Sequence, residues 1–363
     1  MAINQSTNRQ YNPLQSHAPT VVTIALFILF PFVIALWDGQ SLASVFASQS
    51  GNSKFYQGLL IEVFILGIYA LSYDLLLGVT GLLSFGHAMF FAVGAYAMGI
   101  LLKSYNLPLP VTLALVMVVG VLQALLFSIV LPRVKGITFA LVTLGFASVF
   151  DIVIQSHELN PIAGGDVGLQ SIPKPDFLNP ADQRLTFYFV ALASVTLAYF
   201  FYQRFVDSPT GRVCTAIREN EDRAKMLGFN TFYFKLAALI VSGITAALGG
   251  ALHTLYNPIV SPTIASLSYT VAALLIILIG GVGTLSGALV GAATYRLMQF
   301  FLDKFFGEAS SSLLGFVYVA LVLFLPYGIV GTWRAKKSEW RAVWWERLQT
   351  WSVPSKREKQ GGG

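Results

Sequence analysis

Charge is what this sequence has least of. Only 11% of its 363 residues are Asp, Glu, Lys or Arg, where a soluble domain carries about a quarter, so polar side chains are too few to coat a water-exposed surface. Cysteine is nearly absent too. Cys214 stands alone, which excludes an internal disulfide and a thiolate zinc cluster. The four histidines form no HExxH pair and no GxxxxGK[ST] loop exists, so zinc-dependent hydrolysis and nucleotide binding by the P-loop route fall away. GVGTLS, Gly281 to Ser286, lacks the third glycine spacing and the βαβ surroundings of a dinucleotide site. No catalytic residue, metal or cofactor is expected on this chain.

What remains is hydrocarbon. The chain is 55% hydrophobic with mean hydropathy +0.68, and its apolar runs suit helices spanning a lipid core of about 30 Å. The fold class read from this is an all-α polytopic membrane protein. It has about ten transmembrane helices, at Thr20 to Trp37, Tyr56 to Leu77, Leu82 to Leu102, Pro108 to Leu131, Gly136 to Gln155, Leu185 to Phe201, Phe234 to Leu255, Leu267 to Ile279, Thr284 to Leu302 and Leu313 to Val330. Leu267 to Ile279 is the weak member, needing its flanks or a re-entrant shape to cross. The first run follows a polar leader holding only Arg9, with no small-residue cleavage site behind it, and reads as a retained span.

Basic residues outnumber acidic ones by 23 to 17, and their placement argues for topology, not nucleic acid. With both termini in the cytoplasm, the inner segments hold Arg9, Arg133, Lys135, Arg204, Arg212, Arg218, Arg223, Lys225, Lys235 and eight more from Arg334 to Lys359, seventeen in all. The outer segments hold five: Lys54, Lys103, Lys174, Arg184 and Lys304. That asymmetry follows the positive-inside rule. The organisation is then a cytoplasmic leader over 1–19, a membrane domain over 20–333, and a basic tail over 334–363. Within the membrane domain, 156–184 is an extracytoplasmic loop and 202–233 a cytoplasmic one. The tail, with Trp340, Trp344, Trp345 and Trp351, suits the headgroup surface.

Helices already dissolved in lipid associate through close backbone approach and local polar contacts. Gly287 with Gly291, Ala288 with Ala292, Ala95 with Gly99, and the ladder Gly243, Ala247, Ala251 should therefore face other helices. Two glycine junctions, GVTG (Gly78 to Gly81) and GGVG (Gly280 to Gly283), are either tight hairpins or helix breaks lining a pathway. GLLSFGHAMFFAVGAY (Gly81 to Tyr96) faintly echoes GTLSGALVGAATY (Gly283 to Tyr295). Glu62, Asp74, Asp151 and Arg296 fall within apolar spans, where a charge must pair, face the bundle or neutralise. Asp74 and Asp151 read as interface anchors, and Arg296 as a pathway group, a carboxylate's partner or a snorkelling side chain. His87 opens a helix as a packed histidine or a gating group. Candidate pathway or gate residues are thus Gly78, Gly81, His87, Gly280, Gly281, Gly283 and Arg296.

One compact stretch is unlike the rest. In DSPTGRVCTAIRENEDRAKMLGFNTFYFK, Asp207 to Lys235, Ser208 or Thr210 can cap a helix start and Gly228 with Asn230 can end it. Val213, Ile217, Ala224 and Leu227 make a narrow apolar stripe, surrounded by Arg218, Glu219, Glu221, Asp222, Arg223 and Lys225. Three charges of each sign do not suit a membrane-surface helix, which is richer in Lys and Arg. They suit docking against a soluble partner through the stripe and a rim of paired charges.

These residues resemble the LivM-type permease subunits of bacterial ATP-driven importers for branched-chain and other neutral amino acids. The resemblance rests on LLLGVTGLLSFGHAMFFAVGAYA (Leu75 to Ala97), KGITFALVTLGFASVF (Lys135 to Phe150), AGGDVGL (Ala163 to Leu169), SPTGRVCTAIRENEDRAKMLGFN (Ser208 to Asn230), GGVGTLSGALVGA (Gly280 to Ala292) and FLPYGIVG (Phe324 to Gly331). The first and fourth are the specific ones. Tyr327 departs from the basic residue expected there. The resemblance implies a second homologous permease, two cytoplasmic ATPase subunits that hold ATP and Mg, an extracytoplasmic solute-binding protein, and the bacterial inner membrane. It assigns Ile217, Arg218, Glu219, Glu221, Asp222, Arg223 and Lys225 to a coupling helix, and Gly164, Gly165 and Asp166 to the outer loop near the docked binding protein or the pathway mouth. The alternatives kept are a urea or short-amide permease of the same kind and a secondary transporter driven by an ion gradient through Glu62, Asp74 and Asp151.

Overall fold

The computed structural model describes residues 13–39, 41, 48, 51–131, 134, 136–325 and 327–333. Arg9, Arg133, Lys135, residues 1–12 of the leader and the tail over 334–363 with its four tryptophans lie outside the described residues. The helices longer than one turn are α1 Pro13–Trp37, α2 Asn52–Asp74, α3 His87–Lys103, α4 Leu109–Ser128, α5 Ile137–Gln155, α6 Arg184–Asp207, α7 Pro209–Met226, α8 Thr231–Tyr256, α9 Leu267–Gly280, α10 Leu285–Phe306 and α11 Ser310–Phe324. A π-helical turn, Leu75–Val79, prolongs α2, and a two-stranded antiparallel ladder pairs β1 Leu169–Gln170 with β2 Ile259–Val260. The chain is thus a polytopic helical membrane protein.

Small residues set how closely the helices pack. A β-carbon on Gly94 would collide with the Ala247 backbone of α8, and one on Gly250 with the Phe91 carbonyl of α3. Gly287, Ala288, Gly291 and Ala292 are buried, with Gly287 against Gly280 and Gly291 against Ile276. Hydroxyls complete the contacts: Ser242 Oγ donates to Ser72 O at 2.7 Å and Thr254 Oγ1 to Ala95 O at 2.9 Å. The small-residue faces expected from the sequence are helix contacts, as close packing in lipid requires.

Among the described residues each of the ten expected segments carries an apolar helix, but their lengths do not make ten spans. Among the described residues, five stretches are long and apolar enough to cross by themselves: Asn52–Val79, Leu109–Ser128, Ile137–Gln155, Arg184–Asp207 and Thr231–Tyr256. Val22–Trp37, His87–Lys103 and Ser312–Leu321 are shorter, and α9 meets α10 at a bend of 114°. At 1.5 Å per residue, α9 reaches only about 21 Å.

Two of the shortfalls have a visible cause. α3 begins at His87, not at the expected Leu82, because 81–86 is non-helical. Likewise the chain leaves β2, makes a 3-10 turn at Pro262–Ala265 that packs against α3 and α5, and only then starts α9. The first turns of α3 and α9 meet inside the bundle, where Ala88 N–H donates to Thr270 Oγ1 at 3.0 Å. Each of these two helices is therefore entered through irregular chain buried in protein, the condition on which such backbone is tolerated at membrane depth.

The molecule has two ends. At one, Lys103 Nζ donates to Gln170 O, Lys54 to Ala181 O, Lys174 to Tyr256 O and Asn257 O, and Arg184 to Pro180 O. At the other stand α7 and the glycine junctions. Lys54, Lys103, Lys174 and Arg184 thus stand at one end and Arg212, Arg218, Arg223, Lys225 and Lys235 at the other, with Arg296 between them.

Candidate functional site

The two glycine junctions, far apart in sequence, are joined. Asp74, the last residue of α2, accepts the Gly283 N–H on Oδ1 at 2.7 Å. Gly81 and Gly283 share a left-handed backbone, φ +78° and +76°, which a β-carbon would disfavour. GVTG is not a tight hairpin, since it passes into the non-helical 81–86, whereas GGVG is a short turn at which α9 and α10, bent by 114°, fold back into contact at Gly280 with Gly287 and Ile276 with Gly291. The segment Tyr327 to Gly331 joins them, Gly328 resting against the Gly280 and Gly281 backbone. The tenth apolar run thus ends at Phe324 and not at Val330, because the following chain turns into this junction.

Arg218 of α7 lies across both turns. Its Nη1 donates to Gly78 O, and a β-carbon on Gly283 would stand 2.8 Å from that Nη1. The helix that presents it is capped as expected: Ser208 Oγ accepts from Gly211 N–H at 3.2 Å, and Gly228 leaves the helix at φ +88°. One feature differs from the single helix read from sequence. Asn220 is extended, at φ −161° and ψ 102°, and its Oδ1 caps a second short helix through Arg223 N–H at 2.9 Å.

The kink reorganises the expected docking face. Ile217 and Ala224 of the apolar stripe, with Cys214, are buried against the protein's own bundle and seat α7, while Val213 is half-buried and Leu227 stays outward. Glu221 is also turned inward. Its carboxylate takes Lys235 at 2.6 Å, Lys225 at 3.2 Å and the Thr231 hydroxyl at 3.0 Å. Partial burial pushes the Glu221 carboxyl up, but these partners, Lys235 foremost, outweigh it and bring it down to about 2. Glu219, Asp222, Arg223 and Lys225 are exposed. Beside them Met226 is 85% exposed and Leu227 71%, followed by exposed Phe229 and Tyr233. Leu227 thus faces outward as the docking stripe requires, while Met226, Phe229 and Tyr233 beside it were not part of that stripe.

The remaining candidates lie elsewhere. His87 is fully enclosed, sharing a 2.8 Å hydrogen bond with Ser72 Oγ between the rings of Tyr69 and Tyr73, a packed histidine. Asp151 holds Gln155 Nε2 at 2.7 Å on the surface. Arg296 Nε pairs with Glu62 between α10 and α2. At the opposite end, Gly164 and Gly165 shape the turn before β1, and a β-carbon on Gly168 would overlap Val260 O, so these glycines fit the loop onto β2. Asp166 stays exposed.

A family model described as the branched-chain amino acid transport system permease component matches residues 55–326. Among curated proteins, the high-affinity branched-chain amino acid transport system permease protein LivM of Salmonella typhimurium is 29% identical over 287 residues, 72% of this chain and 67% of the relative. LivM of Escherichia coli is 28% identical over the same shares. The permease protein LivH of Salmonella typhimurium is 21% identical over 285 residues, 73% of this chain and 90% of the relative. No solved structure matches the chain.

Proposed function

The chain belongs to the branched-chain amino acid transport system permease family, and from that premise we propose that it is one permease subunit of an ATP-driven importer of neutral or branched-chain amino acids in a bacterial inner membrane. Members of this family are transport components, not enzymes, and ATP with Mg resides on two separate ATPase subunits. The chain pairs with a second, homologous permease, a pairing supported by its similarity to both LivM and LivH proteins. An extracytoplasmic solute-binding protein delivers the substrate at the β-ladder end, near Gly164, Gly165 and Asp166. The α7 end is cytoplasmic, as are both termini. The chain makes ten crossings, α3 and α9 completing theirs with the irregular segments that precede them.

One observation carries the mechanism: Arg218 of α7 bonds the Gly78 carbonyl beside the Gly283 turn. α7 receives the ATPase through Met226, Leu227 and Phe229, with Arg223, Asp222, Glu219 and Lys225 around that tip. The stripe through Ile217 and the Glu221 clasp fix α7 to α8, so a push on the tip is not absorbed locally. It passes through Arg218 to the turns at Gly78 to Gly81 and Gly280 to Gly283, which are the ends of α2, α9 and α10. Rigid-body rocking of those helices then opens the pathway to one side and closes it to the other.

The decisive test is uptake of labelled leucine by the complete importer in cells. Uptake should stop when the ATPase subunits carry a hydrolysis-deficient substitution and persist when a protonophore collapses the proton gradient at constant ATP. Uptake that follows the proton gradient instead would overturn the reading.

A further inference from the structure

Arg296 lies halfway along α10 and Glu62 near the middle of the stretch Asn52–Val79, so their ion pair sits at mid-depth of the membrane domain. Such a pair is expected to be sealed inside the bundle. It is not: the Arg296 and Glu62 side chains keep 22% and 31% of their exposure. A charge pair facing hydrocarbon is costly even when matched. This face of α2 and α10 therefore meets water or a second protein subunit.

Its chemistry is that of a zwitterion. A guanidinium is a planar fork that binds carboxylate, and a carboxylate accepts an ammonium. An amino acid arriving between them exchanges one internal ion pair for two external ones with no net charge created. A further cation lies between this pair and the β-ladder end: Arg184 Nη1 donates to Tyr256 Oη at 3.2 Å, and Tyr256 Oη donates to Gly58 O one turn before Glu62. Tyr256 lies within electrostatic reach of both Glu62 and Arg296. Two guanidiniums, one carboxylate and a phenol thus follow one another from the β-ladder end toward mid-depth.

We propose that Glu62 and Arg296 form this chain's half of a transient binding site for the α-amino and α-carboxylate groups of the transported amino acid, completed by the partner permease. The proposal rests on the importer reading and names the substrate class of its pathway. A pair that merely braces α2 against α10 behaves differently when both charges go, because the double neutral variant leaves no unpaired charge.

The test compares Glu62→Gln, Arg296→Gln and the double variant in the complete importer, with leucine uptake, assembly and binding-protein-stimulated ATP hydrolysis measured together. Expected is a tenfold or greater loss of uptake in the double variant, equal to or worse than either single, with assembly and ATP hydrolysis retained. Recovery of uptake in the double variant toward the native rate would overturn the site and leave a brace. Should the charge variants fail to assemble, Ala293→Cys with Cys214→Ser keeps the pair and places a thiol one turn away. A water-soluble thiol reagent should label it in the assembled importer, more slowly when leucine is being delivered. No labelling from either side in any nucleotide state would equally overturn the proposal. Failure of ATP-dependent uptake in the native complex would instead sink the importer reading, so the two failures are distinguishable.

Discussion

Arg218 is long enough to have pointed into solvent, yet its guanidinium meets the Gly78 carbonyl and covers Gly81 and Gly283. A hydrogen bond to a charged donor contributes on the order of 1.5 to 3 kcal/mol, enough to hold a junction together and weak enough to let it move. Arg218→Ala should therefore leave membrane insertion and ATPase binding intact while uptake falls about tenfold or more per ATP hydrolysed, with Arg218→Lys between the two. An unchanged ratio of leucine to ATP in Arg218→Ala would remove it from the transmission path. Glu221 has a different task. Its folded value, about 2, lies below the ordinary 4.5, so its clasp on Lys235 is complete above about pH 4.5 and is lost only as pH falls toward 2. Between pH 5 and 9 the seat of α7 should not respond to pH through this group. Cys214 reports on that seat, since it is buried and its thiol is pushed up to about 11 by burial. Maleimide should label it very slowly at pH 7 in the native protein and much faster in Glu221→Gln; equal rates would mean the clasp does not hold α7 down. The Glu221 to Lys225 spacing was legible in the sequence as a helical pair, but Lys235 and Thr231 were not, because they reach Glu221 only after the chain reverses at Gly228.

The helices show which parts of a membrane fold a sequence reveals. Apolar length locates α2, α4, α5, α6 and α8 well, since each is a hydrophobic run long enough to declare itself. α3 was placed too early because Leu82 and Leu83 continue the hydropathy while Gly81 and Gly86 break the helix, and Gly86 packs against the Thr143 backbone, where a β-carbon would not fit. The echo between Gly81 to Tyr96 and Gly283 to Tyr295 fails for the same reason: the first copy is non-helical until His87, and the second is helical from Leu285. In α7 the apolar stripe divides: Leu227 faces outward as expected, but Ile217 and Ala224 turn to the protein's own bundle, a reversal that periodicity cannot foretell because it marks an apolar face without saying what covers it. That reversal redirects mutagenesis. Charge reversal at Glu221 should disturb the protein's own fold, whereas Leu227→Asp should spare it and weaken ATPase association by about 1 to 3 kcal/mol, the range of an interface anchor. Co-purification of the ATPase at native yield with Leu227→Asp would exclude the tip as its seat. The α3–α8 contact has its own check. Gly94→Leu must push α8 away at Ala247, and overpacking of this kind costs about 1 to 3 kcal/mol or more. Thermal stability in detergent should drop clearly, while Gly145→Leu, whose β-carbon position is open, should leave it nearly unchanged.

At the scale of the molecule, two long-range contacts hold its two ends apart. The β-ladder fixes 169–170 and 259–260 to one end, and the Asp74–Gly283 bond fixes the end of α2 and the start of α10 to the other. Basic side chains divide accordingly, Lys54, Lys103, Lys174 and Arg184 with the ladder and Arg212, Arg218, Arg223, Lys225 and Lys235 around α7. The sequence carried this partition because the positive-inside bias is written in loop composition. It could not carry the meeting of α3 and α9 at their first turns, which depends on two irregular segments closing on each other. Cys214 is too deeply buried to serve as a probe of sidedness. Met226→Cys and Val167→Cys, each with Cys214→Ser, place exposed thiols at opposite ends. In right-side-out vesicles an impermeant maleimide should label Val167→Cys at once and Met226→Cys only after permeabilisation. Labelling of both from the outside would contradict the two-ended architecture itself. Reversed labelling would keep that architecture and turn α7 away from any cytoplasmic ATPase, so one measurement separates an error in the fold from an error in the direction of transport.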